Sequence, residues 1–184
     1  MTSLYLGSNK IENEITITMT VDSTYPYCNI TIPSGVTEIF DEMFSSYLHI
    51  KSITIPSTVT RIGKNAFYTV SFETNMPTLP SGLQIIDEGA FQLTDWSGVA
   101  AASRSLTFPA SVTTLGASMM GTRSNPLSFK FYFAGNCPAT LGTNFAYKLA
   151  LTVYTKSNNT TWTSTVKNNF KTKSGADSIT WATY

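Results

Sequence analysis

The sequence has 184 residues and a mass of 20.1 kDa, enough for one modest domain or a short array of repeats. Only 12% of the residues are charged, against about a quarter in ordinary globular domains, so Ser, Thr and Asn must form much of the surface. A net charge of +1 argues against a surface for nucleic acid or for an anionic membrane. Apolar runs stay well short of the roughly 18 residues that cross a bilayer, so we expect no membrane insertion.

Residues 1–28 precede the regular part of the sequence. The stretch from Leu4 to Ile11 predicts a small hairpin, and Ile15 to Val21 alternates as a strand does. This segment is either an N-terminal β cap over the open edge of a repeat array or an attachment segment. The attachment hypothesis rests on the opening YLGSNKI, which is similar to the start of many small phage tail and fibre proteins. Because we see no secretory leader or anchor motif, we expect that an export signal was removed or that the protein reaches its site by assembly.

A 15-residue pattern occurs four times from residue 30 onward. Its marking prolines, Pro33, Pro56, Pro80 and Pro109, are 23, 24 and 29 residues apart. Leucine-rich solenoids have coils of roughly 20 to 29 residues, so this period predicts stacked coils. The four copies are ITIPSGVTEIFDEMF (30–44), ITIPSTVTRIGKNAF (53–67), PTLPSGLQIIDEGAF (77–91) and LTFPASVTTLGASMM (106–120).

The apolar spacing within each copy predicts which side chains point inward. Two alternating apolar residues before the proline indicate a strand with one buried face, which proline ends because it lacks an N–H. A second apolar pair and a short helical turn complete the coil. Since one coil cannot bury these side chains alone, neighbouring coils must share one core. The expected row before the prolines is Ile32, Ile55, Leu79 and Phe108, the second pairs are Val36/Ile39, Val59/Ile62, Leu83/Ile86 and Val112/Leu115, and the turns carry Met43/Phe44, Ala66/Phe67, Ala90/Phe91 and Met119/Met120.

The pattern I-x-I-P-x-x-V-x-x-I-G-x-x-A-F resembles the BspA-like leucine-rich repeat, a subclass found in bacterial surface proteins and in some phage and protozoan proteins. The fourth copy departs from it at Met119 and Met120, and a fifth copy (138–146) swaps the small and the large residue. The resemblance implies a β-rich α/β solenoid of about five coils at residues 29–150, with caps at 1–28 and 151–184. It also implies a module that binds partners and has no shared catalytic residues.

Aromatic residues suggest one candidate binding surface. The third coil carries a long excursion from Gln92 to Ser103, and insertions in repeat proteins often lie on the binding face. Trp96 at its tip, together with Tyr47 and Tyr68 at the loop edge of the first two coils, would form an exposed ridge for a sugar or a partner. The alternative is that the indole of Trp96 folds over the rim of the core.

Threonines suggest a second candidate surface. Thr31, Thr54, Thr78 and Thr107 each lie two residues before a marking proline. Alternation sends them outward, which gives a column of hydroxyls on the sheet face. This column is either a flat binding face or a consequence of the β propensity of threonine.

The C-terminal segment predicts a strand, a helix and a final strand. Asn159 or Thr160 would cap a helix with Trp162, Val166 and Phe170 on one face. Ile179 to Thr183 would form the last strand. This order is similar to the capping segment of BspA-like proteins, and it makes the aromatic residues core rather than site.

We find no motif for catalysis, metal binding or a cofactor. His49 is the only histidine, neither Cys28 nor Cys137 lies in a nucleophile motif, and these three residues cannot supply a zinc site. The two cysteines fall about four coils apart, too far for a disulfide, so we expect free thiols. The acidic pairs Asp41/Glu42 and Asp87/Glu88 are expected to cap short helical turns.

These observations favour a non-catalytic interaction module. The placement that we expect first is a phage particle, as a fibre, tail or capsid decoration protein that contacts other virion proteins or a host receptor. The alternative is a bacterial surface adhesin that binds a host protein or glycan. We expect no nucleic-acid partner, and a homo-oligomer is compatible with either placement.

Overall fold

The computed structural model describes residues 16–21, 26–46, 49–122 and 126–184. The hairpin expected at Leu4 to Ile11 lies outside these ranges. Within them the chain forms sixteen short strands, one α-helix and a 3-10 turn at Ala101–Ser103. In chain order these are β1 (Thr16–Val21), β2 (Pro26–Thr31), β3 (Glu38–Ile39), β4 (His49–Thr54), β5 (Arg61–Ile62), β6 (Ser71–Phe72), β7 (Ile85–Ile86), β8 (Phe91–Gln92), β9 (Ser105–Phe108), β10 (Thr114–Leu115), β11 (Met120–Gly121), β12 (Leu127–Phe133), β13 (Thr140–Leu141), β14 (Ala146–Tyr147), β15 (Leu149–Thr155), α1 (Ser164–Ser174) and β16 (Ser178–Thr183).

The strands form the faces of a β-solenoid of about six turns. On the long face, β2, β4 and β6 pair in parallel, as do β9, β12, β15 and β16, and β1 is antiparallel to β2. The two-residue strands β3, β5, β7, β10 and β13 form a second face, and β8, β11 and β14 form a third. We refer to the turns as coil 1 (26–46), coil 2 (49–70), coil 3 (71–94), coil 4 (95–122), coil 5 (126–148) and coil 6 (149–177), followed by β16.

Two features differ from the sequence prediction. In the described ranges of coils 1 to 5 the expected short helical turns are hydrogen-bonded turns, followed in coils 3 to 5 by two-residue strands, so the coils are not α/β units. There are about six turns instead of five, because β15 begins a turn in which α1 takes the place of the two short strands. No helix in the described ranges is long and apolar enough to span a membrane.

The predicted inward residues do form one core. All four second pairs and all four turn pairs are buried. Ile32, Leu79 and Phe108 are also buried, while Ile55 is half-buried and packs against the same cluster. Ile55 is less covered because the strand that follows in coil 3 has only two residues, so nothing in it pairs beyond Ile50.

A column of large side chains runs through the turns. Phe67 stacks on Phe44 at 5.3 Å and on Phe91 at 5.0 Å between ring centroids. Met120 and then the small Ala146 occupy the next two places, since β8, β11 and β14 pair in register there. In the fifth copy the large residue, Phe145, comes before the small one, Ala146. This order lets the ring of Phe145 pack edge-on against Phe170 of α1, with centroids 4.9 Å apart.

Successive coils turn their corners with residues in the left-handed region. Glu42, Asn65, Gly89, Ser118 and Asn144 occupy equivalent positions with φ between 50° and 65°. Only one of them is glycine, although this conformation costs roughly 1–2 kcal/mol for other residues. Backbone bonds between coils hold these corners, because each of the five amides donates to a carbonyl of the following coil at 2.7–3.0 Å.

The helix of coil 6 begins later than the sequence suggested. Thr163 is its N-cap and accepts from the N–H of Val166 at 3.3 Å, so Trp162 precedes the helix. Asn159 instead accepts from the N–H of Thr161 at 3.0 Å and closes a local turn. Trp162 and Phe170 are buried, as expected, and pack around Phe133 at 5.0 and 5.6 Å. The final strand is confirmed as β16.

Candidate functional site

The threonine column lies on the outer side of the long face. Thr31, Thr54, Thr78 and Thr107 are all exposed, and Thr31 is in register with Thr54. The column does not end at the fourth threonine. Thr107 is in register with Tyr132 of β12, and Tyr132 is in register with Tyr154 of β15. The outward geometry predicted from alternation is therefore confirmed, and its role in binding stays a prediction.

A second column runs beside the first. In coils 1 and 2 it contains Asn29 and Ser52, whose hydroxyl donates to the Asn29 side chain at 2.6 Å. In the C-terminal half Ser105, Lys130 and Thr152 are in register. We call the two columns together the outer strand face: Asn29, Thr31, Ser52, Thr54, Thr78, Ser105, Thr107, Lys130, Tyr132, Thr152, Tyr154 and Thr180. Lys130 is the one charged residue of this set.

A tyrosine cluster ends the first column. The rings of Tyr132 and Tyr154 stack with centroids 4.4 Å apart and planes 11° from parallel. Tyr184, which is 50% exposed, meets Tyr132 edge-on at 5.5 Å, and its hydroxyl donates to the carbonyl of Phe133 at 3.3 Å. Burial and then the neighbouring Tyr154 raise the pKa of Tyr132 above its usual value, so its hydroxyl stays protonated and neutral. Tyr132 and Tyr154 lie in the apolar runs SFKFYF and LALTVY, whose spacing does not show that the two rings meet.

The expected exposed ridge at Trp96 is wrong. Trp96 is fully buried and stacks on Phe72 with centroids 4.8 Å apart and planes 4° from parallel. Phe129 contacts its edge at 5.7 Å. The isolated bridge between Ser71 and Asp95 brings the indole into the inward row, where it fills the gap between β6 and the strands that follow the insertion. Its N–H is buried without a hydrogen-bond partner, so hydrophobic packing holds this side chain.

The other two ridge residues do not restore that surface. Tyr68 is half-buried, and its backbone carbonyl accepts from the N–H of Ser46 at 2.9 Å. Tyr47 lies outside the described residues. Without Trp96 the predicted ridge over coils 1 to 3 is lost, and among the described residues the exposed ring in the column of Tyr68 is Tyr147 of coil 5.

An open groove of about 280 Å³ lies on the third face of the solenoid. Its floor is Gly121, which is in register with Gln92 on one side and Tyr147 on the other. Because glycine has no side chain, the column of side chains has a gap at this coil. Tyr147, 44% exposed, forms one wall, and the ammonium of Lys148 lies 5.4 Å from its ring centroid. The sequence signal is Gly121 at the position that Tyr68 and Gln92 occupy in earlier copies.

The expectation that the acidic pairs cap helical turns is wrong, because Asp41, Asp87 and Glu88 bind cations of coil 2. The guanidinium of Arg61 contacts Glu38 and Asp41 of coil 1 and Asp87 of coil 3, the last two at 2.8 and 2.7 Å. Burial tends to raise the pKa of Asp41, but the N–H of Lys64 and the Arg61 guanidinium outweigh it and lower that pKa. This network joins three coils, so a structural role accounts for these charged residues.

The residues that could carry chemistry are scattered. His49 lies half-buried in β4, and no group of three His, Cys, Asp or Glu side chains in the described residues could hold a metal ion. Cys28 and Cys137 are free, as predicted. Burial raises the pKa of Cys137 to about 11, which keeps it a thiol at neutral pH. Among the described residues, these side chains therefore do not come together in one site.

Comparison with known proteins gives one match. The family model for the BspA type leucine-rich repeat region matches six copies over residues 21–134, which is more than half of the chain. Neither curated proteins nor solved structures gave a match.

Replacing Trp96 should test its assignment to the core. Trp96→Ala removes a fully buried ring and should lower the free energy of unfolding by about 3–5 kcal/mol in urea denaturation. Trp96→Phe keeps a ring against Phe72 and removes the unpartnered N–H, so its loss should stay below about 1.5 kcal/mol. A Trp96→Ala protein as stable as the native protein would mean that the indole is exposed.

Acid should test the Arg61 network. Because the folded-state pKa of Asp41 is lowered, its contribution is present above its unfolded pKa of about 3.9 and is lost as pH falls through the folded value. Arg61→Leu should therefore reduce the unfolding free energy by about 1–2 kcal/mol at pH 7 and by less at pH 3. The control Lys51→Gln, at an exposed residue, should give the same small change at both pH values. An equal Arg61→Leu effect at both pH values would contradict the network.

Proposed function

Because the chain belongs to the BspA-type leucine-rich-repeat family, we propose that it is a non-catalytic binding module whose outer strand face contacts the partner. The observation that carries this proposal is the rows of outward hydroxyls on that face. Thr31 is in register with Thr54 in coils 1 and 2, and Thr107 is in register with the stacked pair Tyr132 and Tyr154 in coils 4 to 6.

The chemistry of the outer strand face suits a neutral partner that is rich in hydrogen-bonding groups. Parallel strands lie about 4.8 Å apart, so the columns present hydroxyl donors and acceptors at a regular spacing on a rigid surface. The faces by which Tyr132 and Tyr154 stack on each other are not available to a ligand, so the ring edges, the hydroxyls and the exposed Tyr184 supply the contacts. A surface glycan has the matching chemistry, since it combines hydroxyls with apolar C–H groups.

For the placement of this module we propose a phage particle, in which it acts as a fibre, tail or capsid decoration protein. The support is the low charge and the hydroxyl-rich outer strand face, because close packing between subunits disfavours buried unpaired charges. The second candidate is a bacterial surface adhesin, and the family membership favours it. Capsid, portal or tail genes beside the coding sequence support the first placement; sortase or surface-polysaccharide genes there contradict it.

Binding should depend on the tyrosine pair. Tyr132→Ala/Tyr154→Ala should weaken binding on an array of bacterial and host glycans by more than about tenfold, because truncating a contacting aromatic residue removes much of an interface energy. Tyr132→Phe/Tyr154→Phe keeps the stacked rings and removes the hydroxyls. A loss of binding in this variant is therefore due to the missing hydroxyl contacts and not to unfolding. Thr54→Val, which replaces an exposed hydroxyl by a methyl group, should cause a smaller loss.

The matched control is Tyr147→Ala, which removes an exposed tyrosine from the groove on another face. It should bind as the native protein does. Loss of binding in Tyr147→Ala with native binding in the Tyr132/Tyr154 double variant would move the site to the groove and contradict the proposal.

A further inference from the structure

The net charge of +1 hides a separation of charge along the solenoid axis. Coil 1 contains Glu38, Asp41 and Glu42 and no Lys or Arg, which gives a side-chain charge of −3. Coil 6 and β16 together contain four lysines and Asp177, which gives +3. Six strand spacings of about 4.8 Å place these ends more than a Debye length apart at physiological salt, so neither end neutralises the other.

Charges inside the solenoid pair between neighbouring coils. Coil 2 carries +3 from Lys51, Arg61 and Lys64, between coil 1 and coil 3, which carry −3 each. The ion pairs of the described chain join these three coils. An acidic coil beside a basic one is thus the arrangement that this chain already uses.

The basic end has no such neighbour. Lys171 and Lys173 are exposed in the last turn of α1, and the described residues place no carboxylate within ion-pair distance of them. Lys148 of coil 5 adds its positive charge to this end, since its backbone N–H donates to the carbonyl of Gly175 at 3.0 Å. Coils 5 and 6 are both positive, so nearby lysines repel one another until an acidic surface approaches.

The core is also incompletely covered at this end. Leu151 and Val153 of β15 are buried, whereas their register partners in β16, Ile179 and Trp181, are half-exposed. β16 is the outermost strand of its sheet, and its sequence SITWAT has neither a charge nor a proline. Edge strands normally carry a charged residue or a proline, which prevents pairing with another chain.

The other end has a matching edge. β1, with the sequence TITMTV, is also six residues long and uncharged, and among the described residues it pairs only with β2. Because β1 is antiparallel to the other strands of the long face, a copy stacked on β16 would meet it in the antiparallel sense.

From the charges and the strand edges together, we propose that this chain associates head to tail with a second copy of itself, the acidic coil 1 end of one copy resting on the basic coil 6 end of another. The contact joins two different surfaces, so it repeats and builds an open filament instead of a closed pair. It involves the two ends of the solenoid and leaves the outer strand face free. The assembly is therefore independent of the binding role proposed above.

Sedimentation velocity of the full chain tests this proposal. At about 50 mM NaCl the mean mass should rise above 20.1 kDa as the concentration increases to about 200 µM, and at about 500 mM NaCl it should fall back because salt screens the contact. Lys171→Glu/Lys173→Glu should weaken association about tenfold, Lys171→Gln/Lys173→Gln should weaken it less, and Glu42→Lys at the opposite end should weaken it too. The control Asp95→Asn changes an exposed charge in coil 4, midway between the two ends, and should have no effect.

Thermal unfolding of each variant checks that it is folded. If Lys171→Glu/Lys173→Glu does not fold, Lys171→Gln/Lys173→Gln takes its place in the test. A protein that remains a monomer at 50 mM NaCl overturns the proposal, as does association that Glu42→Lys leaves unchanged. If the monomer instead binds heparin through Lys171 and Lys173, the basic end has an anionic partner of another kind, and head-to-tail association is wrong.

Discussion

Hydrogen bonding and packing between successive coils are the constraint on which this structure depends. A coil has only two or three short strands, so its own residues cannot satisfy its backbone or cover its apolar side chains. The N–H groups of Gly63, Asp87, Gly116 and Gly142 each donate to the coil before, at 2.7–2.9 Å, where the acceptor is the carbonyl of the residue that precedes the equivalent position. At Gly142 a Cβ atom would lie 2.1 Å from a backbone nitrogen of the preceding coil, which explains the glycine of the repeat motif. The same stacking holds the left-handed corners in place.

Stacking also converts a repeated sequence into columns on the surface. A residue type that recurs once per coil becomes a line of identical groups, as with the threonines of the outer strand face. A change of residue in one coil then changes the surface locally. Tyr132 and Tyr154 turn a line of hydroxyls into an aromatic cluster, and Gly121 opens a groove beside Tyr147. Function in such a fold depends on where a column changes.

Much of the fold could be predicted from the sequence, because the 23- to 29-residue period fixes which positions are equivalent. The inward pairs such as Val59/Ile62 and the outward threonines followed from that period alone. The burial of Trp96 could not be predicted from that period, because Trp96 lies inside an insertion. Its distance of 24 residues from Phe72, one repeat length, was the available signal. Glu42 and Ser118 gave no sign of a left-handed corner, since propensity favours glycine and asparagine in that conformation.

The candidate site was harder to predict than the fold. Pairing Tyr132 with Tyr154 requires the register between two strands outside the regular pattern. The partners of Arg61 and the polarity of the solenoid depend on which coils are adjacent, and composition averages such differences into a net charge of +1.

Native-state hydrogen exchange measures the dependence between coils most directly. If the coils are stable only as a stack, the amides of Asp87, Gly116 and Gly142 in the middle should exchange slowly and with similar opening free energies, while those of Ser157 and Tyr184 near the end exchange faster. Central amides that exchange at unfolded-chain rates, or that open with unrelated free energies coil by coil, would contradict the account.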